Sequence, residues 1–525
     1  MKYKSLLIIG CCVLTLMCQA LTPRPSGSGN RTRIILENSD STIYSESLAP
    51  DKFFLYGNVE FSHDSARLYC DSAYLYQNTN SLEAFGNVLV EQGDTLFIYG
   101  SYLIYEGDTK IAKMRENVRM EHDRATLFTE NLDFDRNRNL GYFFDGGLMV
   151  DSVNELTSVY GQYSPDNHVA TFRNTVVLTN PQFVLTSDTL EYATDSNIAT
   201  ILGPAVIASD SGYIHSSLGT YNTNTQQATL YLRSTVYSKD GTRSLTADTL
   251  FYNRETALGE AFHNILMKDT LQNVALTGHY GYFNDADNYA FVTDSAQFIE
   301  FSQRDSLFLH ADTLQMRSID DHRELKAFHG VRFYRIDLQG VCDSLHFNTQ
   351  DSILYMINHP VLWNNSNQIT GDTIKIIFND STVERVHVID RAFSIEQLDS
   401  TYFNQVKGRL LTAYFTAGEL SRVDVEGTTE SIYYPLEEHG TEFVGRNRTE
   451  SPNMSIFVEN RKPVRIWWDA AKGEMLPIPD LHPDQKFLKD FVHLDYLRPL
   501  NKWSIFSEIV PKAEDMPAPP RKRRR

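Results

Sequence analysis

The sequence predicts an all-β protein built as an elongated repeat array of antiparallel hairpins, and three observations carry that prediction. Tyr and Phe are abundant, at 28 and 30 residues against 4 Trp, and such side chains favour strands. No long stretch shows the three-to-four apolar spacing of an amphipathic helix. One cadence, of which LTADTLFYNRETALGEAFHNILM (residues 245–267) is a full copy, returns along most of the chain.

In chain order, the first element is an export signal. Lys2 and Lys4 give a positive end, Leu6 to Met17 an apolar run, and Cys18-Gln19-Ala20 a rough small-x-small cleavage site. The run is short for a membrane span, and Leu16-Met17 do not suit lipidation at Cys18. Residues 1–20 are therefore expected to be a cleavable signal peptide and 21–50 a linker. Losing Lys2 and Lys4 takes the formal charge from −19 to −21. So acidic a chain is not a general nucleic-acid binder, because phosphate binding needs a surplus of Lys and Arg.

Residues 51–435 carry the repeat. Its marker column runs through Asp71, Ser101, Glu130, Val159, Asp188, Ser217, Asp248, Gly278, Asp312, Asp343 and Asp372, with a degenerate copy near Leu411. Successive members stand about thirty residues apart, which makes about twelve units. Two places after the column come Ala73, Leu103, Leu132, Leu190, Leu250, Leu314, Leu345 and Ile374. Four places after it come Leu75, Tyr105, Phe134, Tyr192, Tyr252, Phe347 and Ile376 among others, and the position between is free, as in Glu191, Gln315 and Lys375. Apolar, free, apolar is the signature of a strand with one covered face. A second column, Ala84, Ala112, Ala170, Ala199, Ala228, Ala257, Ala290 and Ala327, marks the return arm.

Two polar turns per unit imply two antiparallel arms. A parallel β-helix with one coil per repeat is the rival arrangement. Cys70 and Cys342 are the only cysteines beyond the signal, and stacking places them too far apart for a disulfide. Residues 436–510 have another texture, with Pro-rich and Trp-bearing loops, and are expected to be a C-terminal module of a few strands that caps the sheet edge or docks a partner. Residues 511–525, ending Arg521-Lys522-Arg523-Arg524-Arg525, read as a disordered basic tail.

Chemistry is hard to find in this pattern. There is no His-Glu-x-x-His, phosphate-binding glycine loop, dinucleotide fingerprint or nucleophile elbow. His63, His215, His263, His279 and His346 stand singly, without ligand spacing, so no catalytic residue, metal or cofactor is assigned. The column aspartates recur once per unit, where a catalytic pair is local. They are expected to serve turns, bonding nearby backbone amides. Asn284-Asp285-Ala286-Asp287-Asn288 lacks the glycine and distal glutamate of a calcium loop and is expected to be a polar turn.

The units FLYGNVEFSHDSARLYCDSAYLY (54–76) and LEAFGNVLVEQGDTLFIYGSYLIY (82–105) resemble the OstA-like, LptA-type periplasmic lipopolysaccharide-transport proteins. Gly57-Asn58-Val59 and Gly86-Asn87-Val88, each entering a strand, carry the likeness, which extends over about residues 52–430. The resemblance implies an open, twisted two-sheet β-jellyroll without enzymatic activity. Its inward column would be Leu75, Leu103, Tyr105, Leu132, Phe134, Leu190, Tyr192, Leu250, Tyr252, Leu314, Leu345, Phe347, Ile374 and Ile376. That column would hold the acyl chains of lipopolysaccharide or a related glycolipid.

The implied partners are an inner-membrane export complex and an outer-membrane translocon. The implied location is the periplasm, with outer-membrane association and end-to-end self-association left open. Later units lose Gly-Asn-Val, and large aromatics in the column would equally suit a filled core. An elongated envelope scaffold or adhesin is therefore the alternative, and a polysaccharide-processing β-helix enzyme a third reading.

Overall fold

The computed structural model describes residues 32–509, except 48, 285, 302–304, 320–321, 380–381, 417–418, 438–441 and 461. The expected signal peptide and basic tail lie outside the described residues. The chain divides into two compact units, residues 1–118 with 133–138, and residues 119–132 with 139–525.

In the first unit, the strands Lys52–His63, Ala66–Tyr76, Ser81–Gln92 and Leu96–Glu106 form a continuous antiparallel ladder. The short strands Ile35–Asn38 and Ser41–Tyr44 both pair with Lys52–His63. The second unit repeats the plan through arms such as Val169–Asn180, Phe183–Ala193, Leu258–Asp269 and Leu338–Asn348. Neighbouring strands among the described residues are antiparallel throughout, so the hairpin array stands and the parallel coil does not.

Period-two alternation explains each arm, and a defect at its centre explains the fold. Midway along the long strands the register slips, between Tyr56 and Val59, Phe85 and Val88, Arg173 and Val176, or Phe262 and Ile265. The two residues in each slip are both left-handed: Gly57 and Asn58 (φ 75° and 44°), Gly86 and Asn87 (71° and 42°), Asn174 and Thr175 (64° and 54°) and His263 and Asn264 (58° and 50°). Such a bulge bends the strand sharply, and Gly and Asn tolerate φ > 0 at low cost. Each arm thus folds into two halves that face one another, and side chains from both halves share one core. Where Gly203-Pro204 stands at the bend, the arm is split into Ile198–Ile201 and Ala205–Ser209, as expected of a residue without an amide hydrogen.

Three of the column aspartates, Asp71, Asp248 and Asp372, hold these bends, which corrects their assignment to local backbone turns. The Asn87 side-chain amide donates to Asp71 at 2.8 Å, and Asn264 to Asp248 at 2.6 Å. Arg391 donates to Asp372 at 2.6 Å. Each carboxylate therefore reaches the bend of the next strand. The outer turns use a different device. Asp135, Asn222, Asn253 and Asn284 end their strands and accept from the amides two and three residues on, closing Asx turns.

The return-arm alanine column also shifts. Measured from the bends, Ala112, Ala170, Ala199, Ala228 and Ala290 share one inward position. Ala84 and Ala327 occupy the next one, and Ala257 is a left-handed turn residue (φ 56°) outside its strand. The near-identity of the two alternating positions hid this offset.

The ladder continues past the regular repeats into Gly445–Glu459, which pairs with Glu419–Tyr433, Lys462–Trp468 and Lys472–Pro477. The segment after Pro477 then returns along the outer face of the last repeats. Three glutamines at equivalent outward positions grip it. Gln405 bonds Lys486 O and Leu488 N, and Gln368 bonds Val492 O and Leu494 N, at 2.7–2.8 Å. Gln339 accepts from Arg498. Leu488, Leu494 and Leu497 are buried beside Phe403, Trp363 and Val361. Cys70 and Cys342 are free, buried thiols, which burial pushes up to about 12.

Candidate functional site

The candidate site is the interior between the two halves of each arm, together with the rim where their free ends approach. In the first unit the inward column places Leu75, Leu103, Tyr105 and Phe134 inside, all buried. In the second unit Leu132, Leu190, Tyr192, Leu250, Leu314, Leu345, Ile374 and Ile376 are buried, while Tyr252 and Phe347 are half-buried. Leu103, Leu132, Leu190, Tyr192, Leu314 and Ile374 are 0% exposed, so water does not reach the deep row.

The rim is polar in the first unit. His63 ends one half-arm and Tyr105 the facing one, and their Nδ1 and Oη atoms lie 2.6 Å apart. The neighbours suit one proton order. The Nε2 of His63 lies 2.8 Å from the Thr32 hydroxyl and 3.1 Å from the Thr32 carbonyl oxygen; the tautomer with its proton on Nε2 satisfies that carbonyl and leaves Nδ1 to accept from the Tyr105 hydroxyl. Arg136 donates to that hydroxyl at 2.6 Å and to the His63 carbonyl at 3.2 Å, and its Nε bonds Gln92. Burial holds the His63 imidazole below its ordinary value, and burial also raises the Tyr105 phenol against the opposing pull of Arg136. The latch is therefore a neutral histidine and a protonated tyrosine bridged by one cation.

The second unit has its own rungs. His122 Nδ1 and the Tyr163 hydroxyl are 2.9 Å apart, and burial pushes that phenol up to about 12. Tyr192 donates to Asp151 at 2.7 Å and accepts from Asn154 at 2.9 Å; Asn154 in turn bonds Asn180 and Thr223. Burial, with Asp151 second, raises the Tyr192 phenol. The next rung is aromatic, Phe183 against Tyr221 with ring centres 4.7 Å apart. Beyond it the rim changes character. Met267, Phe298, Phe347, Phe378, Phe415, Val423, Ile456 and Ile466 are only half-buried against the core.

The column residues are thus found on one face, but the polar rim was missed by sequence reasoning. A signal for it existed. His63, Gln92, His122, Asp151 and Asn180 are polar residues at inward parity, each ending an arm. The arrangement can enclose apolar material, and its buried polar groups are engaged in bridging one rim to the other. No helix among the described residues is long and apolar enough to cross a membrane.

Residues 31–188 match the family model described as OstA-like protein. No curated protein matches the chain. Among solved structures, the chain is similar to LptH of Pseudomonas aeruginosa, the LptA-homologous periplasmic component of the lipopolysaccharide transport device. That likeness has 12% identity and a TM-score of 0.20, and it covers 26% of this chain and 93% of the other.

Proposed function

We propose that this chain, OstA-like over residues 31–188, is a non-enzymatic periplasmic carrier. It shields the acyl chains of lipopolysaccharide or a related glycolipid on the way to the outer membrane. The observation behind the reading is the inward apolar row, set at equal depth in successive arms and left half-exposed along the rim from Met267 to Ile466. Burial of apolar surface contributes about 25 cal/mol per Å², and a repeated lining offers similar surroundings at each step. Chains held this way meet no deep trap, and direction has to come from partners: an inner-membrane export complex at the start and an outer-membrane translocon at the end. Entry belongs at the half-exposed apolar rim, whereas the polar rungs must open before a chain passes them.

Photocrosslinkers placed in cells at Tyr252, Phe347 and Leu345 should capture lipid, and those at Glu191, Gln315 and Lys375 on the other face should not. Equal labelling of both sets, or none at either, would overturn the proposal. The deep row supports a second reading. Because Leu103, Leu190 and Tyr192 are 0% exposed, an envelope scaffold with a filled core fits them as well, and it corresponds to the outcome without adducts.

A further inference from the structure

We propose that His122, Asp123 and His168 form a binding site for one divalent transition-metal ion of the Zn2+ type, which clamps the two rims together. The residues come from different repeats. His122 and Asp123 close the arm Ile111–His122 on one rim, and His168 precedes Val169–Asn180 on the facing rim. One ligand atom from each lies within 4.8 Å of the others.

The geometry resembles a metal cradle more than a hydrogen-bonded cluster. Asp123 Oδ2 is 3.8 Å from His122 Nε2 and 3.5 Å from His168 Nδ1, too long for good hydrogen bonds. Zinc bonds to N and O of about 2.0–2.1 Å set tetrahedral ligand edges of about 3.3 Å, so the two Asp123 edges need only a small contraction, and the His122–His168 edge, within 4.8 Å, closes by side-chain rotation at the partly exposed His168. Two imidazoles and a carboxylate suit Zn2+ and its neighbours, whereas Mg2+ prefers an oxygen octahedron. The second ring nitrogen of His122 is already held by the Tyr163 hydroxyl, the kind of outer contact that fixes a ligating imidazole. Asp166 adds a further negative charge beside His122.

Access and backbone also fit. The His122 side chain is 8% exposed, but those of Asp123 and His168 are 44% and 34% exposed. An ion can therefore enter from solvent and keep a fourth position for water. Asp123 and His168 are both left-handed turn residues, at φ 51° and 56°, so each turn aims its ligand from the tip of its arm. A bound ion would reinforce the His122–Tyr163 rung and hold this section of the rim shut.

The test uses the tag-free full chain, stripped with chelator and titrated with Zn2+ alone and Co2+ alone. One equivalent of Zn2+ should bind, Co2+ should give the visible absorption of a low-coordinate N/O site, and Mg2+ should not compete. His168→Asn, which keeps a residue tolerant of φ > 0, should weaken Zn2+ at least 100-fold with an unchanged circular dichroism spectrum. Tyr163→Phe should weaken it about tenfold, as loss of an outer contact does. Zn2+ should slow amide exchange in the turns at 123–124 and 166–168 of the wild type and not of His168→Asn. Absence of stoichiometric binding, or binding unchanged by His168→Asn, would overturn the site.

Discussion

Tyr192→Phe removes one oxygen from the rim and tests whether the polar rungs keep the arms closed. That oxygen donates to Asp151 at 2.7 Å and accepts from Asn154 at 2.9 Å. Asp151 and Asn154 are each 1% exposed, so water cannot replace the lost partner unless the rim opens. Asn154 keeps Asn180 and Thr223, but among the described residues the Asp151 carboxylate retains only a long contact with Ser152 at 3.4 Å. A lost hydrogen bond to a buried charge costs about 1.5–3 kcal/mol. Taking about 2 kcal/mol, local opening should become about 30-fold more frequent.

Repeat arrays open locally, so hydrogen exchange is the appropriate assay. Peptides covering Gly147–Asp151, Asn154–Ser158 and Phe183–Ala193 should lose protection by that factor. Tyr213→Phe, on an outer face where Tyr213 stacks on Tyr237 at 4.8 Å, should stay within about 0.5 kcal/mol of wild type. If the rim peptides change by less than twofold, or if protection falls equally along the whole second unit, the latch reasoning is wrong.

Three further outcomes are expected. Gly86→Ala puts a Cβ 2.5 Å from Asp71 Oδ2 at φ +71°, and should destabilise the first unit by about 2–3 kcal/mol; Asn87→Ala, losing the 2.8 Å bond to Asp71, should cost about 1–2 kcal/mol, both read by thermal melting. His63 is held below its ordinary 6.5 by burial, so the unfolded chain protonates first as pH falls. Its contribution is complete above pH 6.5 and is lost as pH drops through that value toward the lowered folded one. Rim protection in the first unit should therefore weaken as pH falls through 6.5, and His63→Gln should flatten that slope although Asp64, Lys110, Arg136 and Tyr105 remain around it. Gln368→Ala removes both bonds to Val492 and Leu494, and limited proteolysis should then cut within 478–509 faster than in wild type.

Much of this protein is legible along the chain because a strand with one covered face writes its burial at every second residue. Leu103, Leu190, Leu250, Leu314 and Leu345 were assigned to one inward row by that rule alone, and all five are buried. The OstA-like resemblance read from Gly57-Asn58-Val59 and Gly86-Asn87-Val88 is borne out by the family match over residues 31–188. The physical role of those motifs was not legible. Gly-Asn, Asn-Thr and His-Asn look unrelated as letters, yet each supplies two consecutive left-handed residues at a bend. Asn87, Asn264 and Arg391, the partners of Asp71, Asp248 and Asp372, each lie one strand away, which a search for local turn bonds does not reach.

The sequence by itself determined the all-β class, the antiparallel hairpin repeat and the identity of the inward row, since these follow from alternation and spacing within each arm. Only the tertiary structure decided how the rim is closed, because that depends on which arm ends meet once every arm is bent. Bending brings His63 to Tyr105, His122 to Tyr163 and His168, and Asp151 to Tyr192. It likewise carries the chain after Pro477 back across Gln405, Gln368 and Gln339. These contacts join residues from different repeats, and a pattern with a period of one repeat holds no record of them.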